Sequence, residues 1–219
     1  MIFSPFERLV ARRYLRARRK EGFISVIAGF SLAGIGLGVA TLIIVMSVMN
    51  GFRGELMGRI LGLNGHFGVS SAQSSGLTDF DNVAQRLRGV AGVVRVTPIA
   101  EGQAMATVRG TAAGVLVRGM RVEDIEKHPI LSKSLIRGNL KDFNEGGDVI
   151  VGSRFATRHG IALGDRITLI APRIRATAFG SVPRMKSFRV RAVFEIGMFE
   201  YDNTFLFVGL KAAQIFFQT

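Results

Sequence analysis

GFISVIAGFSLAGIGLGVATLIIVMSVMNGF, residues 22–52, runs for 31 positions without a charged side chain. An α-helix rises ~1.5 Å per residue, so ~20 residues cover a ~30 Å hydrocarbon core, and this stretch spans it with a turn or more to spare at each interface. A buried helix of a globular core rarely stays uncharged for so long. A cleaved signal peptide would have an apolar region of only ~7–15 residues followed by a small-residue cleavage site, and neither is present. The expectation is a transmembrane helix retained in the mature protein.

The flanks orient it. Arg8, Arg12, Arg13, Arg16, Arg18, Arg19 and Lys20 precede the helix, opposed only by Glu7 and Glu21, a net +5 in 21 residues. Beyond it, only Arg53 and Arg59 are close, with Glu55 between them. The positive-inside rule puts residues 1–21 in the cytoplasm and everything after Asn50 outside. Phe6, Leu9, Val10 and Tyr14 recur near helical spacing within the basic run. Residues 1–21 therefore read as an amphipathic segment lying on an anionic leaflet. An arm for nucleic acid is disfavoured, because the adjacent anchor already accounts for these charges.

Composition agrees with that division. The chain has 219 residues, 29 Lys+Arg against 16 Asp+Glu, a net charge of +13, and 48% hydrophobic residues. So much apolar content excludes disorder, and the absence of cysteine excludes a disulfide-stapled mini-domain. The helix is also rich in small residues. Gly34 and Gly38 form a GxxxG pair, and Gly29 with Ala33 repeats the small-xxx-small spacing that lets membrane helices approach closely. Such a groove suits a helix packed in a multi-helix assembly.

Residues 53–219 form the outer part. Strand-like apolar runs occur at 92–96, 104–108, 113–117, 148–151, 167–171, 188–194 and 204–208, and helical patterns at 79–87, 122–126, 153–159 and 210–217. Strands outnumber helices and mix with them irregularly, which predicts an α+β domain. Asn144-Glu145-Gly146-Gly147-Asp148 is a turn and a plausible subdomain seam. Residues 172–183 (PRIRATAFGSVP) break two strand patterns with prolines, a glycine and Phe179, and Arg173, Arg175, Arg184 and Lys186 stand around them. They predict a protruding arm with an apolar tip, suited to a partner's groove.

Catalytic chemistry is scarce. His66, His128 and His159 lack metal-ligand spacing. Gly29 and Gly34 have the glycine spacing of a phosphate loop, but Ile35 and Gly36 follow where Lys and Ser/Thr belong. Glu195, Glu200 and Asp202 cluster late in the chain, and Glu200 and Asp202 would share one face of a strand. Among so many basic residues, an ion-pair role for them is favoured over acid–base catalysis. The expectation is a chain that is not an enzyme and that has no metal site or cofactor of its own.

Residues 11–66, above all GIGLGVA (34–40) and SVMNGFRGEL (47–56), resemble the start of the lipoprotein-releasing ABC transporter permeases, the LolC/LolE family, whose outer domain is MacB-like. VRVTPIAEG (94–102), VIVG (149–152), GDRITLIAP (164–172) and FEIGMFEY (194–201) extend the resemblance over the whole chain. Family members are about twice as long, with one membrane helix before the outer domain and three after it. The resemblance therefore implies a fragment that stops within the outer domain, without the helices and loop that dock on the ATPase.

It also implies a function: extraction of triacylated lipoproteins from the outer leaflet of a bacterial inner membrane and delivery to a periplasmic carrier. The implied partners are ABC-type ATPase subunits holding ATP and Mg, a second permease subunit, the carrier, the lipoprotein and membrane lipid, with no nucleic acid. Each buried methylene anchors by ~0.8 kcal/mol, so three acyl chains need an energy source and a continuous apolar route. By position near the outer leaflet, Val45, Met46, Met49 and Phe52 would line that route, methionine suiting variable chains. The arm falls where LolC-type members carry a carrier-binding hook, implicating Pro172, Phe179, Gly180, Pro183 and Lys186. Those members have a base four positions before the first hook proline, where this chain has Thr168. LolC-type and LolE-type features coexist, so a LolC-type, a LolE-type and a combined homodimeric subunit all stay open. A MacB-type export permease and a non-transporting membrane-anchored scaffold are the alternatives.

Overall fold

The computed structural model describes residues 4–16, 22–71, 76–177 and 180–218. It divides into two compact units, Met1–Leu56 and Met57–Thr219.

The first unit is helical. Helix α1 (Pro5–Arg16) opens with a reciprocal capping box: Ser4 N–H donates to Glu7 Oε2 (2.7 Å) and Glu7 N–H donates to Ser4 Oγ (3.3 Å). Proline at the first helical position costs no hydrogen bond there. Phe6, Leu9 and Tyr14 are exposed, as expected of an amphipathic helix with nothing packed against it. Helix α2 runs from Gly22 to Asn64, beyond the uncharged stretch, because Arg53, Glu55 and Arg59 are good helix formers. Its residues Val26–Asn64 are long and apolar enough to cross a membrane, and the apolar 18-residue stretch within them, of mean hydropathy 2.3, has no buried residue. Leu37, Leu42, Ile43 and Ile44 are all exposed, so the helix is apolar on every side, as a span in lipid is. From Met57 on, its last turns belong to the second unit.

The second unit is α+β. After α3 (Phe80–Arg88) come β1 (Ala100–Val108), β2 (Thr111–Met120), α4 (Val122–Glu126), β3 (Leu135–Gly138), β4 (Asp148–Gly152) and α5 (Ser153–Arg158). Then follow β5 (Arg166–Thr177), β6 (Gly180–Phe194), α6 (Phe199–Thr204), β7 (Phe205–Gly209) and α7 (Leu210–Phe217). The strands are ordered β3-β6-β4-β7-β2-β1-β5, and β5 pairs again with β6, closing the sheet upon itself. The β4–β6 and β2–β7 pairs are parallel and the others antiparallel.

Two cores lie on the two faces of this sheet, and side-chain alternation sorts residues between them. Val149, Val151, Val190, Leu206 and Val208 join Phe155, Phe188 and Phe216 in one. Ile150, Ala192, Phe194 and Phe207, the neighbours in between, join Leu63, Met120, Ile125 and Ile196 in the other. Strands β4 and β7 are therefore buried on both faces, which explains their unbroken apolar runs. At Gly152 and Gly209 the backbone of another segment takes the space of a side chain. A Cβ at Gly152 would lie 2.1 Å from the Asp202 carbonyl oxygen, and one at Gly209 would lie 2.3 Å from that of Glu145.

Several expectations need correction. Residues 92–96 form no strand: Gly92 has φ +88°, turn bonds link Val90 N–H to Leu87 O and Val93 N–H to Val90 O, and Val94 is 95% exposed. Both edges of β1, the nearest strand in sequence, are already taken by β2 and β5. Glu200 and Asp202 sit on helix α6 rather than on a strand, so the face they were expected to share does not exist. The short strand β3 and helix α6 carried no apolar period strong enough to predict them.

Candidate functional site

Strands β5 and β6 continue through the proline-bracketed segment instead of breaking at it. Their register runs from Arg166↔Arg189 to Ile170↔Met185, shifts, and resumes from Ile174↔Pro183 to Thr177↔Gly180. The shift places two extra residues on β5, in the stretch that holds Pro172. Proline has no N–H to donate to a ladder, so a bulge is where a strand tolerates one. Among the described residues, β1 pairs with β5 only at Thr168–Ile170, and β4 pairs with β6 only from Arg189 on. Beyond those points the arm is a two-stranded ribbon with both outer edges unpaired, a geometry open to strand addition by a partner.

Pro172 and Pro183 are exposed, Gly180 opens β6, and Phe179, the expected apolar tip, lies outside the described residues. Lys186 is half-buried, its Nζ 5.1 Å from the centroid of the Phe188 ring. Thr168 and Ser187 are directly opposed, their hydroxyls 2.9 Å apart. At the foot of the arm, Arg184 Nη1 donates to the carbonyls of Ile215 (2.8 Å) and Phe216 (2.9 Å), fastening β6 to the end of α7.

On α2, Val45, Met49 and Phe52 recur at helical spacing with Met46 beside them, and all four are exposed. Gly29, Gly34 and Gly38 have open space where a Cβ would stand, and Ala33 is exposed too.

The late acidic cluster is structural. Asp202 is fully buried, Oδ1 accepting Ile196 N–H (2.8 Å) and Oδ2 accepting Gly197 N–H (3.0 Å), and it ties the loop after β6 to α6. Burial pushes its carboxyl above the usual range, opposed by those two hydrogen bonds. Glu200 is exposed. Among the described residues, no group of His, Asp or Glu side chains is placed to hold a metal ion.

Two buried groups gave no sign of their role in the sequence. Arg118, on β2, donates from Nε to Glu101, from Nη1 to Leu63 O (3.2 Å) and from Nη2 to Asn64 Oδ1 (2.9 Å), and it stacks 5.1 Å from the Phe205 ring centroid. Asn64 Nδ2 donates in turn to the Tyr201 hydroxyl (2.6 Å), and Arg59 donates to Ile196 O. The Leu63 carbonyl, in the last turn of α2, thus accepts from a buried guanidinium, the favourable charge for a helix C-terminus.

His128 is the other. Burial first, then the positive charges of Arg95 and Arg118, lower its pKa from 6.5 to about 4, and its Nδ1 faces Leu131 N–H at 3.4 Å. The folded state keeps the imidazole neutral, whereas the unfolded chain takes up a proton below pH 6.5. Stability from this group is therefore complete above pH 6.5 and is lost as pH falls toward 4, by roughly 3 kcal/mol in all. Unfolding free energies at pH 7 and pH 4.5 should show that extra loss in the native chain and not in His128→Gln. Equal losses in both would contradict it.

Comparison with known proteins agrees with this architecture. The chain is 32% identical over 213 residues to the lipoprotein-releasing system transmembrane protein LolC of Neisseria meningitidis serogroup B, a match covering 97% of this chain and 51% of that protein. It is 27% identical over 216 residues to the LolE protein of Haemophilus influenzae, with the same coverage. The chain spans about half the length of the curated relatives it matches. Among solved structures, the extracellular domain of the ABC-type transporter YknZ from Gram-positive bacteria aligns at a TM-score of 0.45 and 17% identity, over 68% of this chain and 70% of that one. The periplasmic region of MacB from Actinobacillus actinomycetemcomitans aligns at 0.42 and 14%, over 64% and 58%. Residues 28–219 match the MacB-like periplasmic core domain, a range that takes in α2 from its second turn and the closed sheet with its arm, and the chain belongs to that family.

Proposed function

We propose that this chain is a permease subunit of an ABC transporter that extracts acylated lipoproteins from the outer leaflet of the bacterial inner membrane and hands them to a periplasmic carrier. The observation that carries the reading is the 32% identity to a lipoprotein-releasing LolC protein, spread over 97% of the chain rather than confined to the anchor. The free-edged arm and the exposed apolar helix are the two surfaces such a task requires.

In this reading α2 crosses the membrane with its N-terminus in the cytoplasm, and the second unit is periplasmic. Val45, Met46, Met49 and Phe52 offer the acyl chains an apolar wall, so that they need not pass through water. Gly29, Ala33, Gly34 and Gly38 let a neighbouring membrane helix approach closely. Pro172, Phe179, Gly180, Pro183 and Lys186 present the arm to the carrier, by strand addition and an apolar tip. ATP, with Mg, is hydrolysed by a partner ATPase subunit, and a second permease subunit, identical or related, completes the membrane channel.

The complex purified from membranes with its native partners should carry triacylated lipoprotein, identified by mass spectrometry of the bound material. A complex that instead retains a drug or a secreted peptide, and no lipoprotein, would favour a MacB-type exporter. One that contains no ATPase subunit would favour a membrane-anchored scaffold.

A further inference from the structure

Outside the arm, one concentration of charge has no role in the account so far. An open pocket of about 390 Å³ lies where β4 begins beside β5 and β6, and its lining includes Arg166, Arg189, Arg191, Asp142 and Asp148. Arg166 and Arg189 stand directly opposite each other in the β5–β6 register, and Arg191, the extra residue where the β4–β6 register shifts, lines the same pocket. Like charges directly opposed across a ladder destabilise it. Among the described residues, neither Arg166 nor Arg189 has an ion-pair partner or a side-chain hydrogen bond that would offset this.

The remaining groups in the pocket are already engaged. Asp148 Oδ2 accepts Asn144 N–H (2.9 Å), and Asp142, almost fully exposed, lies 3.8 Å from Arg191 Nη2. Arg191 Nη2 donates to Lys141 O (2.7 Å), which fixes the guanidinium plane, while its Nε is buried with no hydrogen-bond partner. Three planar forks around one pocket, two of them unpaired, match the oxygens of a tetrahedral anion. The volume exceeds that of a bare anion and falls in the range of small-molecule sites.

We infer that this pocket binds a phosphate group carried on a small organic body, with Arg166 and Arg189 clamping its oxygens across the β5–β6 ladder and Arg191 closing it from the side. A soluble phosphomonoester and the headgroup of an anionic phospholipid share this chemistry. The site is independent of the proposed transport function, since neither the arm nor the apolar face of α2 contributes to it.

Titration calorimetry on the full chain in neutral detergent tests it with two probes, glycerol 3-phosphate and monomeric dihexanoylphosphatidylglycerol. At least one should bind with a Kd below ~1 mM. The double variant Arg166→Gln/Arg189→Gln should weaken it at least about tenfold, as loss of charge-assisted contacts does. Arg86→Gln/Arg158→Gln, which removes the same charge from α3 and α5 outside the pocket, should leave binding unchanged. Preference for the first probe marks a soluble ligand, and preference for the second a lipid. Relief of like-charge repulsion means that the double variant should melt no lower than the native chain, so loss of binding cannot be put down to unfolding. No binding of either probe at ~10 mM, equal binding by the pocket variant, or equal weakening by the α3/α5 variant would overturn the inference.

Discussion

Deletion of residues 177–182 is expected to weaken capture of the soluble carrier by the assembled transporter at least about 100-fold while leaving the melting temperature of the second unit unchanged. Both halves of that expectation follow from the ladder. Among the described residues, no third strand pairs beyond Ile170 on β5 or before Arg189 on β6, so residues 177–182 lie outside the ladder that joins this ribbon to the sheet. A two-stranded ribbon of this kind contributes little to stability. What it offers is unpaired main chain on both edges and an apolar tip, which a partner can use and the fold does not. Phe179→Ala should produce a large part of the loss alone, because aromatic anchors dominate such contacts. Carrier binding that survives the deletion undiminished would remove the arm from the mechanism.

The second large effect is expected at Arg118. Arg118→Met should destabilise the second unit by roughly 3 kcal/mol, since removing one partner of a buried charge network leaves the others unpaired. The groups left behind are the Glu101 carboxylate, Leu63 O and Asn64 Oδ1. Arg118→Lys should restore less than half of the loss, because an ammonium cannot reach three acceptors in a fork. Amide exchange over residues 59–64 should quicken in both variants, reporting release of the last turns of α2. Denaturant unfolding of Arg118→Met at native stability, with unchanged exchange in that segment, would show that the network adds nothing.

What could be read in the sequence follows from how local each signal is. The uncharged stretch 22–52 predicts its helix because hydropathy needs no partner to be recognised. Helices α4 and α7 have the bounds expected of them, and the apolar runs of β4 and β7 announce strands buried on both faces. Failures occurred where a distant residue decides the outcome. GVVRV, residues 92–96, has the composition of a strand, but both edges of β1, the nearest strand in sequence, are taken by β2 and β5. Asp202 suggests a strand face until the N–H groups of Ile196 and Gly197 are seen to claim its carboxylate.

Prolines at 172 and 183 suggest a break, yet a bulge and an unpaired edge absorb them. That β5 and β6 run through this segment as a continuous ribbon could not be read from the sequence. Arg118, in VLVRGM, looks like a solvent-facing strand residue, and only the end of α2, 54 residues away, shows why it is buried. The pocket arginines are likewise scattered along the chain, and the β5–β6 register brings Arg166 opposite Arg189.

The central claim is that this chain helps to move acylated lipoprotein out of a membrane. Its most direct test reconstitutes the full-length protein, its ATPase and any second permease subunit in proteoliposomes loaded with a triacylated lipoprotein, and follows the lipoprotein into the soluble fraction. The account predicts release only when ATP, Mg and the soluble carrier are all present, and its loss when residues 177–182 are deleted. Lipoprotein that stays in the membrane under those conditions, while the ATPase turns over normally, would contradict it.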